Sequence, residues 1–466
     1  MNIVKPDELH RLVKLAMDTG EAESIEHAQR IFSRYRIGVA VGFEIGRSNT
    51  HQAALLTFLR LASRVFLGGV DVLIPDEAAI PNLLPGNQGI AEAILAAGAR
   101  RVKLLEPNVP SVYIGTIEPP QSASFAVRAV FNGWRAGIVP VHADVPFDLD
   151  SEFPLSGALA AALAVNEAFL FVRQDTPEAG LREIGLSLWK PDAVEDWWQA
   201  ENDGPRLTYL PSKLWFIGLG HLGQAYLWGL SLLPYANPEE VELILHDIDV
   251  VTASTLSTSI LSERPMMDKR KTRAMAAVME ARGFRTAIVE RKFDKTLRVQ
   301  PDEPQVALCG VDNVLARRAL CDVGFKFIVE AGIGSGVKDF RAIRIHTFPG
   351  TKDPHELWKP GGEKVVESSA PAYGDLKARG LDQCGVTLLA GKAVGAPFVG
   401  MTAAVLCLAE VLRLLHEGTL FAVHDLDLKS LSYRASIEHK GGLATFNPGF
   451  VSVPDRGTRH TNYVCR

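Results

Sequence analysis

Apolar and polar residues alternate along the chain in a pattern that predicts strands and helices in turn. Short apolar runs suit strands, whereas the stretches between them repeat apolar residues at helical spacing. The predicted strands lie at 37–41, 71–74, 102–105, 214–217, 242–246, 286–290, 306–309, 326–330 and 342–347. The predicted helices lie at 51–64, 89–98, 156–171, 269–283, 313–322 and 398–416, with two short ones within 6–34. This alternation indicates βαβ units around a mostly parallel sheet, which is an α/β fold.

Three further regions have their own patterns. Apolar runs at 124–131 and 134–141 flank Asn132-Gly133, which favours a hairpin with a type I′ turn. Residues 174–206 read as a connector, and the tail from Leu420 as short strands. Residues 348–383 are rich in proline, glycine and charge, which predicts a long mobile crossover.

Two Ala-rich helical stretches align without gaps and predict an internal duplication. Residues 154–167 and 397–410 share Pro, Gly, two Ala, Leu and Glu at matching positions. The alternative is that Ala-rich helices look alike by chance. The first half's turn, Gly42-Phe-Glu-Ile-Gly46, lacks a middle glycine and carries Glu44, which would repel a phosphate. The first half is therefore expected to be a structural partner.

Charge and cysteine usage narrow the class of protein. The formal net charge of −5 provides no basic field for nucleic acid. Five cysteines lack a C-x-x-C pair, which argues against a zinc site and a disulfide scaffold and fits the reducing cytoplasm. The uncharged stretch 214–236 is long enough to cross a bilayer, but it contains His221, Gln224 and Pro234. A buried strand–turn–helix, and no membrane, is the better interpretation.

The stretch after the predicted strand 214–217 carries the strongest chemical signal. Gly218, Gly220 and Gly223 form G-x-G-x-x-G, and helical periodicity begins at His221. Glycines between a strand and a helix let backbone N–H groups approach a phosphate at the helix N-terminus. Glycines also serve tight turns and close packing, so the motif alone leaves a structural role open.

Charged residues follow the glycines at the ends of the next strands. Asp247 and Asp249 end one strand, where a carboxylate accepts hydrogen bonds from ribose hydroxyls. Lys269 and Lys271 open the next helix, where a polyphosphate neighbour would favour cations. Asp312 follows strand 306–309, where a carboxylate suits Mg²⁺. The alternative for Asp247 is the ribose site of a dehydrogenase. The lysines could instead form a solvated basic face, and Asp312 could cap the following helix.

Taken in this order, residues 211–415 resemble the ThiF/MoeB/ubiquitin-activating (E1-like) superfamily. Members use Mg-ATP to adenylate the C-terminal carboxylate of a ubiquitin-like β-grasp protein. The resemblance implies two tandem Rossmann-like, ThiF-type adenylation folds that form a pseudo-dimer, with an inactive domain at 1–205 and an active domain at 206–466. It also implies phosphates over the three glycines, ribose at Asp247, phosphates at Lys271 and Mg²⁺ at Asp312, with Asp249 and Lys269 beside them.

The chain departs from the family pattern after the Asp-x-Asp strand. The family shows Ser-Asn-Leu-x-Arg-Gln, whereas residues 254–259 read Ser-Thr-Leu-Ser-Thr-Ser. Asn, Arg and Gln thus appear as Thr255, Thr258 and Ser259. Either adenylation is impaired, or Arg264, Lys269 or an arginine of the first half replaces the missing cation. By the resemblance we expect Arg34 in that role; a solvated helix end is the alternative.

The segment Asp382-Gln-Cys-Gly385 lies within the crossover, at about 348–396. It resembles the cysteine segment of the autophagy-type activating enzyme, which implies a thioester with the ubiquitin-like protein on Cys384. A thiolate on a mobile segment suits that chemistry. We expect Cys309, Cys321 and Cys407 to pack inside the protein, and Cys465 to be exposed without a role.

The leading hypothesis is an activating enzyme that uses ATP and Mg²⁺ and passes a ubiquitin-like protein to a conjugating enzyme. Its compact layout is similar to that of bacterial ubiquitin-like conjugation operons of the Bil type, which are linked to antiphage defence. One alternative is a ThiF/MoeB-like adenylyltransferase for a sulfur carrier or peptide without a thioester step. Another is an NAD(P)-dependent oxidoreductase or a cofactor-binding scaffold. A monomeric pseudo-dimer and a homodimer both remain open.

Overall fold

The first half of the protein is built around one seven-stranded sheet. The structure, a computed structural model, describes residues 8–75, 89–119, 123–143, 145, 152–359 and 369–453. The elements of the first half are α1 (Lys14–Asp18), α2 (Ile25–Phe32), β1 (Arg36–Val41), α3 (Asn49–Val65), β2 (Gly69–Leu73), α4 (Ile90–Ala96), β3 (Arg100–Arg101), β4 (Ser111–Ile114), β5 (Ala126–Asn132), β6 (Arg135–Pro140), α5 (Pro154–Arg173) and β7 (Ile184–Ser187). The strand order in this sheet is β3-β2-β1-β4-β5-β6-β7.

The second half repeats this plan with an extended strand edge. Its elements are β8 (Tyr209–Pro211), β9 (Lys213–Ile217), α6 (His221–Leu232), β10 (Glu242–His246), α7 (Ala253–Thr258), α8 (Lys271–Glu280), β11 (Arg285–Val289), β12 (Val306–Cys309), α9 (Val314–Ala319), β13 (Phe327–Ile333), β14 (Ala342–Phe348), α10 (Pro354–Leu357), α11 (Pro371–Ala378), α12 (Gln383–Gly391), α13 (Pro397–Leu415), β15 (Phe421–Asp427), β16 (Ala435–Glu438) and β17 (Phe450–Ser452). The strand order in the main sheet is β11-β10-β9-β12-β13-β14-β15-β16, and β17 pairs with β8.

The two sheets have the same topology. In each, five strands are parallel, and a hairpin then continues the sheet in antiparallel pairing. Each of the two parallel sets begins at a central strand from which the chain first winds to one side and then to the other. The prediction of an α/β fold with two Rossmann-like sheets is confirmed.

Helices α5 and α13 pack against each other and join the halves. Apolar side chains of both halves form one continuous buried cluster, which includes Leu163 of α5 and Leu408 of α13. Both helices are long and apolar enough to cross a membrane, but 89% of the apolar window of each is buried inside the protein. They are therefore core helices of this fold. The Asn166 side-chain amide also donates to the Leu428 carbonyl at 2.9 Å, across the interface.

The duplicated helices end in the same way. Glu167 of α5 is buried, accepts a hydrogen bond from the backbone N–H of Gly180, and pairs with Arg182 at 2.9 Å. Glu410 of α13, at the matching position, is buried and accepts from the backbone N–H of Phe421 at 2.7 Å. In both halves a buried carboxylate thus ties the helix to the segment that leads into the next strand.

The structure corrects several element predictions. The strand expected at 102–105 is a two-residue strand at Arg100–Arg101, followed by exposed Lys103 and Leu104. Strand β4 was not predicted, and the expected connector 174–206 contains strand β7. The mobile crossover expected at 348–383 contains helices α10 and α11, and Cys384 is the second residue of α12; residues 360–368 lie outside the described residues.

Candidate functional site

The glycine loop lies at the switch point of the second sheet. Strand β9 has β10 on one side and β12 on the other, so the chain leaves β9 in opposite directions to reach them. In open α/β sheets, ligands bind in the crevice at the carboxyl ends of the strands at such a point. The loop after β9 and the segments after β10 and β12 all open at this edge.

Each glycine of the loop meets a different geometric demand. Gly218 has a φ of +84°, a conformation that glycine adopts without strain. A Cβ on Gly223 would lie 1.9 Å from the Gly218 carbonyl oxygen, so helix α6 approaches the loop too closely for any side chain. A Cβ on Gly220 would have nothing within 4 Å. The loop is therefore open at Gly220, where a phosphate needs close access to the backbone.

Asp247 braces the loop and pairs with a cation. Its carboxylate accepts hydrogen bonds from the backbone N–H of Leu219 at 2.6 Å and of Asp249 at 2.7 Å. Lys271 Nζ lies 3.8 Å from the Asp247 carboxylate and 2.8 Å from that of Asp249. Asp247 and Lys271 are largely buried, whereas Asp249 is exposed. The lysine is thus held beside the loop between two carboxylates.

Asp312 lies on the other side of the loop. A Cβ on Gly218 would contact Val311 Cγ1 at 3.0 Å, so the segment after β12 lies directly against the glycine loop. Asp312 is exposed there. The cap of helix α9 is Asn313, whose side chain accepts from the Leu315 and Ala316 N–H groups. An exposed carboxylate that the helix cap does not use suits a cation at this edge.

An ion pair of Arg317 with the buried Glu330, which was not predicted, supports this segment. Arg317 Nε lies 2.9 Å from the Glu330 carboxylate and donates to the Val311 carbonyl at 3.0 Å. His346 Nδ1 lies 3.1 Å from the same carboxylate. These three groups come from α9, β13 and β14, so only the fold brings them together and no spacing in the sequence indicates it.

The segment that departs from the family pattern forms helix α7. Thr255 takes part in a capping box with Thr252, and Thr258 and Ser259 are buried. The Gln224 side chain bridges the loop and the end of this segment: it donates to the Leu219 carbonyl at 3.1 Å and hydrogen-bonds to Ser262. The three substituted positions therefore serve packing and capping in this chain.

Two arginines of the first half bear on the missing cation. Arg34, which was expected in that role, is exposed two residues past the end of α2. Arg11 contacts the second half directly. Its backbone N–H donates to Ser257 Oγ, and its Nη1 to the Ala393 carbonyl at 3.4 Å. Arg264 and Lys269 are also exposed, and Lys269 lines a cavity on the other side of α8.

Cys384 is the second residue of α12 and is exposed. The Asp382 carboxylate caps this helix by accepting from the Gly385 N–H at 2.7 Å. The other end of α12 leads to residues 393–396, which contact the first half at Arg11 and the end of α7 at Thr258. Cys384 thus lies at the end of the helix that is farther from these contacts along the chain.

The other cysteines divide into buried and exposed. Cys309 and Cys407 are buried as predicted, and burial raises the pKa of the Cys309 thiol to about 12. The prediction for Cys321 is wrong, because it is exposed at the end of α9 beside Asp322 and His355. Partial desolvation of its sulfur raises the pKa of the Cys321 thiol to about 11, and the carboxylates of Asp322 and Asp353 add to this shift. Cys465 lies outside the described residues.

The corresponding turn of the first half is filled by a carboxylate. Glu44 is buried and accepts hydrogen bonds from the Thr116 hydroxyl and, at 3.2 Å, from the Thr116 N–H. A Cβ on Gly42 or Gly115 would lie within 2.4 Å of its Oε2, so the carboxylate occupies the space between the ends of β1 and β4. Burial disfavours the charged form, but the hydrogen bonds outweigh it and lower the pKa of Glu44.

Comparison with known proteins shows where this chain belongs. Residues 36–188 match the BilD N-terminal domain, and residues 210–418 match the BilD C-terminal domain. The bacterial E1-like protein BilD of Collimonas sp. (strain OK412) is 44% identical over 416 residues, which cover 89% of this chain and 90% of that protein. The chain belongs to the BilD family. The E1-like resemblance found in the glycine loop and the charged segments of this BilD-family chain is thereby confirmed.

Solved structures of E1-like proteins are more distant from this BilD-family chain. E. coli MccB, solved with a succinimide, is 11% identical and has a TM-score of 0.34, with 69% of this chain and 97% of that chain covered. E. coli tRNA N6-threonylcarbamoyladenosine dehydratase TcdA is 14% identical and has a TM-score of 0.29, with 44% and 85% covered. The assignment to the BilD family therefore rests on the sequence matches.

Proposed function

We propose that this protein activates the C-terminal carboxylate of a ubiquitin-like protein by ATP-dependent adenylation in its second half. The observation that carries the proposal is the glycine loop at the β9 switch point, open at Gly220 and flanked by Lys271 and Asp312. An open backbone loop, a cation and an exposed carboxylate on three neighbouring strand ends suit a magnesium–nucleotide complex.

Each residue of the site would have a separate role in adenylation. The loop N–H groups and Lys271 would hold the phosphates. Asp247 would keep the loop in its conformation and accept hydrogen bonds from the ribose hydroxyls. Asp312 would hold Mg²⁺, which offsets phosphate charge when bound. The substrate carboxylate oxygen attacks the α-phosphorus, a P–O bond to the acyl group forms, and the bond to pyrophosphate breaks. Charge that develops on the phosphates is stabilised by these fixed groups.

The proposal requires a replacement for the arginine that the family uses to bind the ATP phosphates. Thr258 stands where the family places an arginine, and Arg34 lies exposed beyond α2. Arg11 is the better-placed replacement, because it contacts α7 and the segment before α13 from the first half. A Cβ on Gly395, in that segment, would lie 3.4 Å from Arg11 Cβ, so Arg11 packs directly on the second half.

In the second step the Cys384 thiolate would attack the acyl-adenylate, form a thioester and release AMP. The acyl group would then pass to a conjugating enzyme. Cys384 is exposed on the first turn of α12, so a partner can reach it. Because the helix would have to move toward the loop, transfer would require a conformational step of the kind that limits many enzymes.

We assign the first half, residues 1–205, a supporting role, and residues 206–466 the active role. The buried Glu44 carboxylate supports this division, since it fills the turn where a phosphate would have to enter. A negative charge in that position repels phosphate.

ATP–pyrophosphate exchange tests the activation step. With a β-grasp partner present, we expect exchange by the wild-type protein and by Cys384→Ala. A reductant-sensitive adduct with the partner should form on the wild type and be lost in Cys384→Ala. Cys321→Ala, which removes the other exposed described cysteine, should keep the adduct. Absence of exchange with every β-grasp protein tested as a partner would disprove adenylation.

A second candidate is adenylation without a thioester, and the placement of Cys384 in a formed helix favours it. It predicts that Cys384→Ala leaves final product formation unchanged. The oxidoreductase alternative is tested by binding: the activation proposal requires ATP to bind more tightly than NAD⁺.

The resemblance to Bil-type operons also supports a role in defence against phage, in the cytoplasm. We expect phage to form fewer plaques on cells that express the complete operon than on cells whose operon carries Cys384→Ala. Equal plaque numbers would contradict the defence role while leaving adenylation intact.

A further inference from the structure

A cavity of about 850 Å³ lies between the two halves, away from the glycine loop. Its walls come from α3 and α4 of the first half and from α6 and α8 of the second. On α6 it uses Trp228, about 10 Å along the helix from His221 at about 1.5 Å per residue. Pockets that bind small molecules usually have volumes of roughly 300–1,000 Å³. The cavity is large enough for a ligand of its own.

The charge on the walls opposes the charge of the protein. Among the described residues that line the cavity, six are cationic and two are acidic, whereas the whole chain has a formal net charge of −5. The cationic residues are Arg60, Arg64, Lys269, Arg270, Arg273 and Arg282, of which Arg273 is paired with Glu290 at 2.9 Å. Because low-dielectric walls strengthen such a field, the cavity attracts anions.

Three of the arginines cluster around one indole ring and one carboxylate. The Arg60 guanidinium lies 4.7 Å from the centre of the Trp228 ring, and that of Arg282 lies 5.9 Å from it. Arg60 is 3.7 Å from Glu263, and Arg64 donates to the carbonyls of residues 60, 256 and 262. The carbonyl oxygens accept from three of the Arg64 N–H donors but leave its positive charge in place.

The cluster therefore has more positive charge than its own side chains offset. Burial and the neighbouring Arg60 charge lower the pKa of Arg64 and of Arg282 to about 10. Like charges that are held together in a partly buried site destabilise one another. A bound anion would relieve this repulsion.

The rest of the wall is apolar. Leu56, Leu59 and Ala97 of the first half face Ala277 and Leu232 of the second across the cavity. A phosphate bound to arginines on one side would therefore have an aliphatic surface beside it. Arginine forks suit phosphate oxygens, and the aliphatic side chains suit an apolar body.

From this combination we propose that the cavity between the halves binds a small organic phosphate, with the phosphate at Arg60 and Arg282 and an apolar body against the aliphatic wall of α3 and α4. This site is separate from the loop at Gly220. It does not depend on the activation reaction proposed above. It would hold the two halves together by contacts to both.

Arginine modification tests the site residue by residue. Phenylglyoxal reacts faster with guanidines of lowered pKa, and peptide mass spectrometry reads each arginine separately. With AMP as the probe on the full chain, we expect modification of Arg60 and Arg282 to slow at least fivefold. Exposed Arg298, which lies outside the cavity, should react at an unchanged rate. Unprotected Arg60 and Arg282 at millimolar AMP would overturn the proposal.

A paired binding measurement separates the cavity from the glycine loop, where AMP is a product of the proposed reaction. Isothermal titration with AMP should lose one class of sites in an Arg60→Met/Arg282→Met variant and keep it in Arg298→Met. If the double variant and the wild type give the same titration, the cavity is not an AMP-class site. A protein that shows no ATP–pyrophosphate exchange could still bind AMP in the cavity, so the two proposals can fail separately.

Discussion

Single atoms decide how the glycine loop is built. The positive φ of Gly218 and the 1.9 Å approach at Gly223 are demands of the fold, whereas the open space at Gly220 is not required by any described neighbour. The fold thus constrains Gly218 and Gly223, whereas only the nucleotide proposed above would constrain Gly220. A pair of methyl substitutions separates the two.

We expect Gly220→Ala to fold with nearly the stability of the wild type and to bind ATP at least tenfold more weakly, about 1.4 kcal/mol, because a methyl enters the phosphate path. Gly223→Ala should lose about 2–3 kcal/mol of unfolding free energy, since its methyl forces the Gly218 carbonyl to move. Urea titration and calorimetric ATP binding measure both quantities. Wild-type ATP affinity in Gly220→Ala would refute the placement of the nucleotide.

Two histidines make stability depend on pH. Burial lowers the pKa of His221 to about 4, and burial together with nearby Arg64 lowers that of His10 to about 4, against an ordinary value of 6.5. The unfolded chain therefore binds more protons between pH 4 and 6.5. The contribution of the two neutral histidines to the free energy of unfolding is complete above pH 6.5 and is lost as the pH falls toward 4.

At pH 5 each histidine should cost about 2 kcal/mol of unfolding free energy relative to pH 7.5. Denaturant titrations at the two pH values measure this loss. His10→Asn keeps an acceptor for the Val13 N–H and removes the titration, so its stability should fall by about 2 kcal/mol less than that of the wild type. An identical pH dependence in the variant would show that the pKa of His10 is not lowered in the folded protein.

At the level of elements, the repeated glutamate at the end of α5 and α13 is the clearest mark of duplication. In α13, Glu410 is completely buried with Arg413 and His424, and it accepts the Phe421 N–H. A buried charge that loses its partner is far more costly than an exposed one.

We expect Glu410→Ala to cost about 3–5 kcal/mol of unfolding free energy, because Arg413 would remain buried and unpaired by a carboxylate. Glu290→Ala, which removes an exposed partner of Arg273, is the matched control and should change stability little. Chemical denaturation measures both. A small effect in Glu410→Ala would mean that water reaches Arg413 readily.

The sequence patterns predicted the repeated strand–helix plan because apolar runs and glycine turns are local signals. Strands β10 and β12 have the bounds that their apolar runs indicated. The short strands β4 and β7 were missed, since four buried residues between loops form no distinctive period. The contacts of Gln224 and Arg11 join segments far apart in sequence, and only the packed fold reveals them.

On the scale of the whole molecule, the two halves bury one shared interior. Helices α5 and α13 pack together, and a single buried apolar cluster includes residues of both halves. Each half alone would expose one of these helices, which are buried over nearly their whole length. Large exposed apolar patches lead to aggregation.

We therefore expect residues 1–205 and 206–466, produced separately, to aggregate or to lack cooperative unfolding. Produced together in one cell, they should associate into a soluble 1:1 complex. Size-exclusion chromatography and thermal unfolding followed by circular dichroism test this. A soluble first half with a sharp unfolding transition would show that it has an independent core.

The packing of α5 on α13 also has a kinetic side. In a two-chain enzyme, dilution separates the supporting subunit from the working one, and output per molecule falls with concentration. Here both halves belong to one polypeptide, so their association is a first-order folding event. Dilution would therefore not separate the halves, even in a cell that holds only a few copies.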